Sequence, residues 1–180
     1  MQKLRFLATC IALFVLGGCH TYDLHSAVGY QNLNDVKQFV ADGADINAQD
    51  GYGNTPLMLA AQANNYVIAK YLIDRGAKVD TRNTDGWSAL LYASYYGSLP
   101  IVKILVDKGA ALDMQNNEGW SALLYSAYYG REPIAKLLID RHADVNLINQ
   151  QGYSALAYAD QYGWTGIAKM LKARGAKSNY

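Results

Sequence analysis

The sequence predicts an all-α solenoid of about five helix-turn-helix repeats joined by hairpin loops. Three observations predict it: residues recur every 33 positions, a Ser or Thr hydroxyl opens the first helix in four of the repeats, and glycine closes most second helices. The recurrence runs through Gly53, Gly86, Gly119 and Gly152, through Leu57, Leu90, Leu123 and Leu156, and through Leu72, Leu105, Leu138 and Leu171. Lys70, Lys103, Lys136 and Lys169 keep the same step. Identity at a fixed period marks stacked units, each too small to bury its apolar face alone. The register is 20–52, 53–85, 86–118, 119–151 and 152–180.

Each element has a local cause. Thr55, Ser88, Ser121 and Ser154 have the side-chain oxygen that satisfies free N–H groups at a helix start. Pro56 follows at the first helical position, where its missing N–H costs nothing. The second helix begins near Leu99 or Glu132, with Pro100 or Pro133 in its first turn. Its apolar stripe is Ile101, Val102, Leu105 and Val106, with equivalents in the other repeats. Gly76, Gly109 and Gly175 stop it in the left-handed conformation. Arg75, Lys108, Arg141 and Arg174 precede that stop and complement the negative helix end. His142 replaces a cap glycine, so strain of about 1 kcal/mol is expected there. The terminal repeats carry polar substitutions that keep a solenoid soluble: Asp35 in the place of Ile68, Ile101, Ile134 and Ile167, and Lys172 and Ser178 at the other end.

Residues 1–18 read as an export signal outside the fold. Lys3 and Arg5 give a positive start, and Leu7 to Leu16 is apolar except for Thr9, too short to span a bilayer. Leu16-Gly17-Gly18-Cys19 then resembles the bacterial lipoprotein processing site. That resemblance implies that Cys19 carries a diacylglycerol and a fatty acyl chain, a stable anchor when chains are combined. The alternative is an ordinary secretory signal with an unrelated cysteine. Cys10 and Cys19 are the two cysteines of the chain, so removal of 1–18 leaves no intramolecular disulfide. His20 follows Cys19 in place of the aspartate that retains many such lipoproteins at the inner membrane. By that resemblance the protein belongs on the outer membrane, facing the periplasm.

The repeats resemble the ankyrin family. Gly53-Asn54-Thr55-Pro56-Leu57-Met58-Leu59-Ala60-Ala61 is similar to that family's opening motif, with Met58 where a histidine is usual. Gly43-Ala44-Asp45-Ile46-Asn47 and Asp144-Val145-Asn146 match its closing motif. The resemblance covers 20–180. It implies a concave surface, formed by the first helices and hairpins, through which such proteins contact partners. His25 falls on the family's usual histidine position, which implies a structural role.

The chain has 15 Tyr against 3 Phe, and two of the Phe fall in the first segment. Tyr92, Tyr95 and Tyr96 recur as Tyr125, Tyr128 and Tyr129, and partly as Tyr158 and Tyr162. At helical spacing they lie opposite Leu90, Ala93 and Ser94, the side that carries the recurring core residues. The tyrosines are therefore expected on the outer side of the first helix, with Trp87, Trp120 and Tyr153 beside the hairpins. Either these rings form a binding groove, since hot spots are enriched in Tyr and Trp, or they pack on neighbouring repeats, with Tyr92, Tyr125 and Tyr158 the best placed to do so. The groove is the favoured reading, with a protein partner in the periplasm or envelope and an inhibitor, immunity or scaffold role. The second reading is a glycan or peptidoglycan binder using ring faces with Asp85, Asn117, Glu118 and Asp160. A net charge of +1 argues against nucleic acid. His20, His25 and His142 lack zinc-ligand spacing, and no phosphate loop is present, so no enzyme, metal or cofactor is expected. Asp45, Asp80, Asp113 and Asp144 are expected to be solvated turn residues.

Overall fold

The computed structural model describes residues 22–179; segment 1–18, Cys19 and His20 lie outside the described residues. The described chain is all-helical, with ten helices arranged as five antiparallel pairs. They are α1 (Leu24–Gly29), α2 (Leu33–Ala41), α3 (Pro56–Gln62), α4 (Tyr66–Asp74), α5 (Ala89–Tyr96), α6 (Leu99–Asp107), α7 (Ala122–Tyr128), α8 (Glu132–Asp140), α9 (Ala155–Gln161) and α10 (Thr165–Ala173). First helices stack on first helices and second on second, giving two helical layers with hairpins projecting from one edge.

The starts follow from the caps. Thr55, Ser88, Ser121 and Ser154 each accept a hydrogen bond from the backbone N–H three residues on. Gly76, Gly109 and Gly175 take positive φ at the second-helix ends, and His142 adopts φ 66° in the same place. First helices of six to eight residues are too short to persist alone in water. Stacking holds them: Leu57, Leu90, Leu123 and Leu156, with Leu72, Leu105, Leu138 and Leu171, are all buried. Each such burial contributes about 2 kcal/mol. Ala60, Ala93, Ser126 and Ala159 are buried between first helices and let the backbones approach.

Two polar ladders join the hairpins. Gln49 Nε2 donates to Gly53 O and Arg82 O, and Arg82 donates to Gly86 O and Gln115 O. Gln115 repeats the pattern on Gly119 O and Ile148 O, and the apolar Ile148 ends the series. In the second ladder Thr84 Oγ1, Asn117 Nδ2 and Gln150 Nε2 donate back to Tyr52 O, Thr84 O and Asn117 O. Gly119 is required here on two counts: its φ is 81°, and a Cβ would lie 2.9 Å from the Asn149 backbone.

The turn carboxylates are exposed, as expected, and two of them also join repeats. Asp80 Oδ1 and Asp113 Oδ1 accept from the backbone N–H of Ala111 and Asp144 in the following repeat, at 2.9 and 2.8 Å. They bridge repeats, whereas Asp45 and Asp144 accept from N–H groups in their own loops. Arg141 and Arg174 likewise reach back to Asp107 and Asp140 of the preceding second helix. The ends are polar: Tyr22 donates to Asp35 at one end, and Lys172 pairs with Asp160 at 3.0 Å at the other.

Candidate functional site

The first-helix side carrying Leu90, Ala93 and Ser94 is buried, and the tyrosines point the other way. There the rings divide into two layers.

The inner layer is a stack. Tyr92, Trp87, Tyr125, Trp120, Tyr158 and Tyr153 follow one another with centroid steps of 4.7, 5.1, 4.8, 5.2 and 5.2 Å and interplanar angles from 9° to 26°. Indoles from hairpins therefore alternate with phenols from helices across three repeats. Buried asparagines fasten it. Asn116 Oδ1 accepts from the backbone N–H of Glu118 and Trp120, while its Nδ2 donates to Tyr125 Oη at 3.0 Å. Asn149 does the same for Gln151, Tyr153 and Tyr158, with 2.7 Å to the phenol. Asn83 holds Asp85, Trp87 and Tyr92, and also donates to Asn54 Oδ1. Asn54 and Leu59 occupy the ring positions one repeat earlier, so the stack begins at Tyr92.

Tyr125 and Tyr158 are 4% and 6% exposed. The assignment of Tyr125 as a partner contact is therefore corrected: neighbouring hairpins close over its ring. Tyr92 is half-buried with its hydroxyl engaged by Asn83, so it too serves the stack. Burial pushes the Tyr125, Tyr92 and Tyr158 phenols up; the Glu118 carboxylate adds to this at Tyr125, and the Asn83 and Asn149 amides oppose it at Tyr92 and Tyr158. Trp87 and Trp120 are half-buried, and both faces of each indole are covered by stacked rings. Their edges meet Tyr95 and Tyr128, at 5.6 Å and 73° for Trp87 and at 5.3 Å and 88° for Trp120.

The outer layer consists of Tyr95, Tyr96, Tyr128, Tyr129 and Tyr162, which meet edge to face. Tyr95 lies 5.0 Å from Tyr129 at 73°, and Tyr128 lies 5.2 Å from Tyr162 at 78°. Burial and the Tyr95 hydroxyl push the Tyr129 phenol up; the Tyr128 hydroxyl, then burial, do so at Tyr162. Tyr96, Tyr129 and Tyr162 are exposed, with Tyr95 and Tyr128 half-buried beneath them. Tyr153, the last ring of the stack, is also exposed.

Two neighbours escaped the sequence reading. Trp164 caps α10, is 40% exposed, and lies so close over Gly130 that a Cβ there would meet its ring at 2.6 Å. Arg131 covers Gly97 in the same way and lies 6.0 Å from the Tyr129 ring centre. The recurring glycines were the available signal, because Gly97 and Gly130 each leave room for the residue 34 positions on.

The polar groups expected beside the rings are partly spent. The Asn117 amide belongs to a hairpin ladder, and Asp160 pairs with Lys172. His25 Nε2 lies 3.0 and 3.1 Å from the carbonyls of Ala48 and Asn54, tying the first repeat to the second. Among the described residues no group of three His, Cys, Asp or Glu is placed to hold a metal. No described helix is long and apolar enough to cross a membrane.

The pattern of ankyrin repeats, in three copies, matches residues 24–116 and 108–180. The chain belongs to the ankyrin-repeat family. Ankyrin repeats are protein–protein interaction modules, generally without enzymatic activity. Over 57 residues the chain is 44% identical to a putative ankyrin repeat protein of Rickettsia bellii (strain RML369-C), covering 28% of this chain and 34% of that protein. Over 51 residues it is 41% identical to the ARF GTPase-activating protein Git of Drosophila melanogaster, covering 28% and 7%. A putative ankyrin repeat protein of fowlpox virus (strain NVSL) matches at 41% over 51 residues, covering 28% and 12%. The chain thus matches only part of the length of each relative.

Proposed function

We propose that this ankyrin-repeat protein is a membrane-anchored interaction module of the bacterial cell envelope. It captures a protein partner on its outer tyrosine layer, as an inhibitor, immunity protein or scaffold. The observation that carries the reading is the division of the rings. An inner stack is spent on joining repeats, yet Tyr96, Tyr129 and Tyr162 stay exposed in a row on top of it. Exposed apolar patches favour association and mark interaction sites on soluble surfaces. Rigid rings supported from beneath offer contact area at low entropy cost. The contact set is therefore Tyr96, Tyr129, Tyr153 and Tyr162, with Tyr95, Tyr128, Trp164 and the exposed parts of half-buried Trp87 and Trp120.

Stacking of sugar rings on Trp87 and Trp120 is disfavoured, because their faces are covered by Tyr92, Tyr125 and Tyr158. Residues 1–18 are removed on export in this proposal. Cys19 carries the lipid, and the protein sits on the outer membrane facing the periplasm. The first helix starts at Leu24, so the stack stays near the bilayer and the partner must come to it.

Tyr96→Ala combined with Tyr129→Ala tests the reading by pull-down from envelope extract. The partner recovered with the native chain should be lost, with the circular-dichroism melt unchanged. Retained capture overturns the binding face. Cys19→Ser should abolish palmitate labelling and release the protein from the membrane fraction; persistent labelling overturns the anchor.

A further inference from the structure

Charge is spread unevenly along the stack. Repeat 20–52 carries Asp23, Asp35, Asp42, Asp45 and Asp50 against Lys37, a formal net charge of −4. Repeat 152–180 carries Lys169, Lys172, Arg174 and Lys177 against Asp160, a formal net charge of +3. Each of the three repeats between them lies within one charge of neutral. One end is therefore acidic and the other basic. Opposite ends of two copies attract, and like ends repel.

Each end also has the form of half a repeat junction. Within the stack, Gly97 and Gly130 are notches covered by Arg131 and Trp164 of the following repeat. Gly163 takes positive φ at the same register position, and among the described residues nothing lies within 4 Å of where its Cβ would be. With Ala168 and Lys172 it lines an open groove of about 360 Å³ on α9 and α10. Lys172 stands where inner repeats bury Ile73, Val106 and Ile139. At the opposite end, half-buried Asp35 stands where the other repeats bury Ile68, Ile101, Ile134 and Ile167. Positions that are apolar inside the stack are thus a cation at one end and a carboxylate at the other.

Tyr30 is a second mark. It occupies the register position of Tyr96, Tyr129 and Tyr162 and is 78% exposed, yet within one chain Ala63 separates it from their row.

We propose that copies of this chain assemble head to tail, the first repeat of one copy stacking on the fifth repeat of the next. α1 and α2 then sit on α9 and α10 as α9 and α10 sit on α7 and α8. Asp35 faces Lys172, and the Gly163 notch receives Asn32, which holds the register position of Arg131 and Trp164. Tyr30 lands beside Tyr162 of the neighbouring copy and continues the exposed row. Such a contact joins two different surfaces, so it propagates into a row or ring and does not stop at a dimer. Lipid on Cys19 fits a row lying along the bilayer, where confinement raises the local concentration of copies.

Sedimentation velocity of the full-length protein in excess density-matched detergent tests this. In about 0.01 M salt, where charges act over about 30 Å, the sedimentation coefficient should rise with protein concentration. In about 1 M salt, where they act over about 3 Å, the same samples should sediment as monomers. Lys172→Glu and Asp35→Lys should each weaken association about tenfold or more in low salt. The double variant should recover it, and so should an equimolar mixture of the two single variants, because both restore opposite charges across a junction. If Asp35→Lys melts early through loss of the bond from Tyr22, Asp35→Asn keeps an acceptor there, and the test rests on it and Lys172→Glu, with about threefold weakening expected. Monomers at every concentration in low salt overturn the proposal. So does association indifferent to salt or to Lys172→Glu, and so does a folded double variant that fails to recover it.

Discussion

Replacing Tyr125 with Phe removes one oxygen and leaves the ring. Tyr125 is 4% exposed and Asn116 5%, so neither group recovers a water in exchange. The lost bond is Asn116 Nδ2 to Tyr125 Oη at 3.0 Å. Asn116 Oδ1 still accepts from Glu118 and Trp120, so the hairpin keeps its shape while one amide N–H is left unpaired. A buried donor left unsatisfied costs about 1–2 kcal/mol. For a chain of 180 residues that lowers the melting temperature by about 3–6 °C. Circular dichroism reads the melt, and hydrogen exchange at Glu118 and Trp120 should quicken first, because local opening precedes global unfolding. Tyr52→Phe is the control: Tyr52 is 75% exposed and should melt with the native chain. A Tyr125→Phe melt matching the native one would refute the claim that asparagine–phenol bonds fasten the stack.

Three further outcomes follow from the same geometry. Gly130→Ala should cost about 2 kcal/mol in urea unfolding, because Gly130 has φ 63° and its Cβ would strike Trp164 at 2.6 Å. His142→Gly should stabilise the chain by about 1 kcal/mol by relieving φ 66°; a lower melting temperature would contradict the strain. Alkali should unfold the protein. Tyrosine in the unfolded chain ionises near pH 10, whereas burial and the Asp35 carboxylate push Tyr22 up to about 12, and Tyr92, Tyr125, Tyr129, Tyr158 and Tyr162 are raised as well. The folded state then holds protons that the unfolded state has lost, so stability is full below pH 10 and falls from there to about pH 12 and beyond. The share of tyrosinate absorbance owed to these six tyrosines should rise only with loss of helix; full tyrosinate absorbance with the helix intact would contradict the raised values.

Much of this fold was legible because its causes are local. Thr55 and Ser88 announce helix starts through one side-chain oxygen, and Gly76 and Gly109 announce ends through one permitted dihedral. The period of 33 residues then supplies the stacking. The site was legible only as a direction. Helical spacing places Tyr92, Tyr95 and Tyr96 on one side, but it is blind to the hairpin indoles Trp87 and Trp120, which cover Tyr125 and leave Tyr129 out. A signal for that division existed in Asn83, Asn116 and Asn149, each nine residues before a stacked tyrosine and four before Trp87, Trp120 or Tyr153. Three polar residues recurring among apolar elements implied buried hydrogen bonds. Trp164 gave a weaker signal, because nothing local ties it to Gly130, 34 positions earlier. The Asp80 and Asp113 bridges were missed for the same reason: these exposed carboxylates show no partner until the next repeat is laid beside them.

Tyrosine footprinting with a nitrating reagent tests the two-layer division most directly. The full-length protein is treated with and without its enriched envelope partner, and mass spectrometry reads each site. Tyr96, Tyr129 and Tyr162 should react in the free protein and be shielded by the partner, while Tyr125 and Tyr158 stay unreactive in both. Nitration of Tyr125 in the free, folded protein, or undiminished reaction at Tyr96 and Tyr129 under saturating partner, would contradict the account.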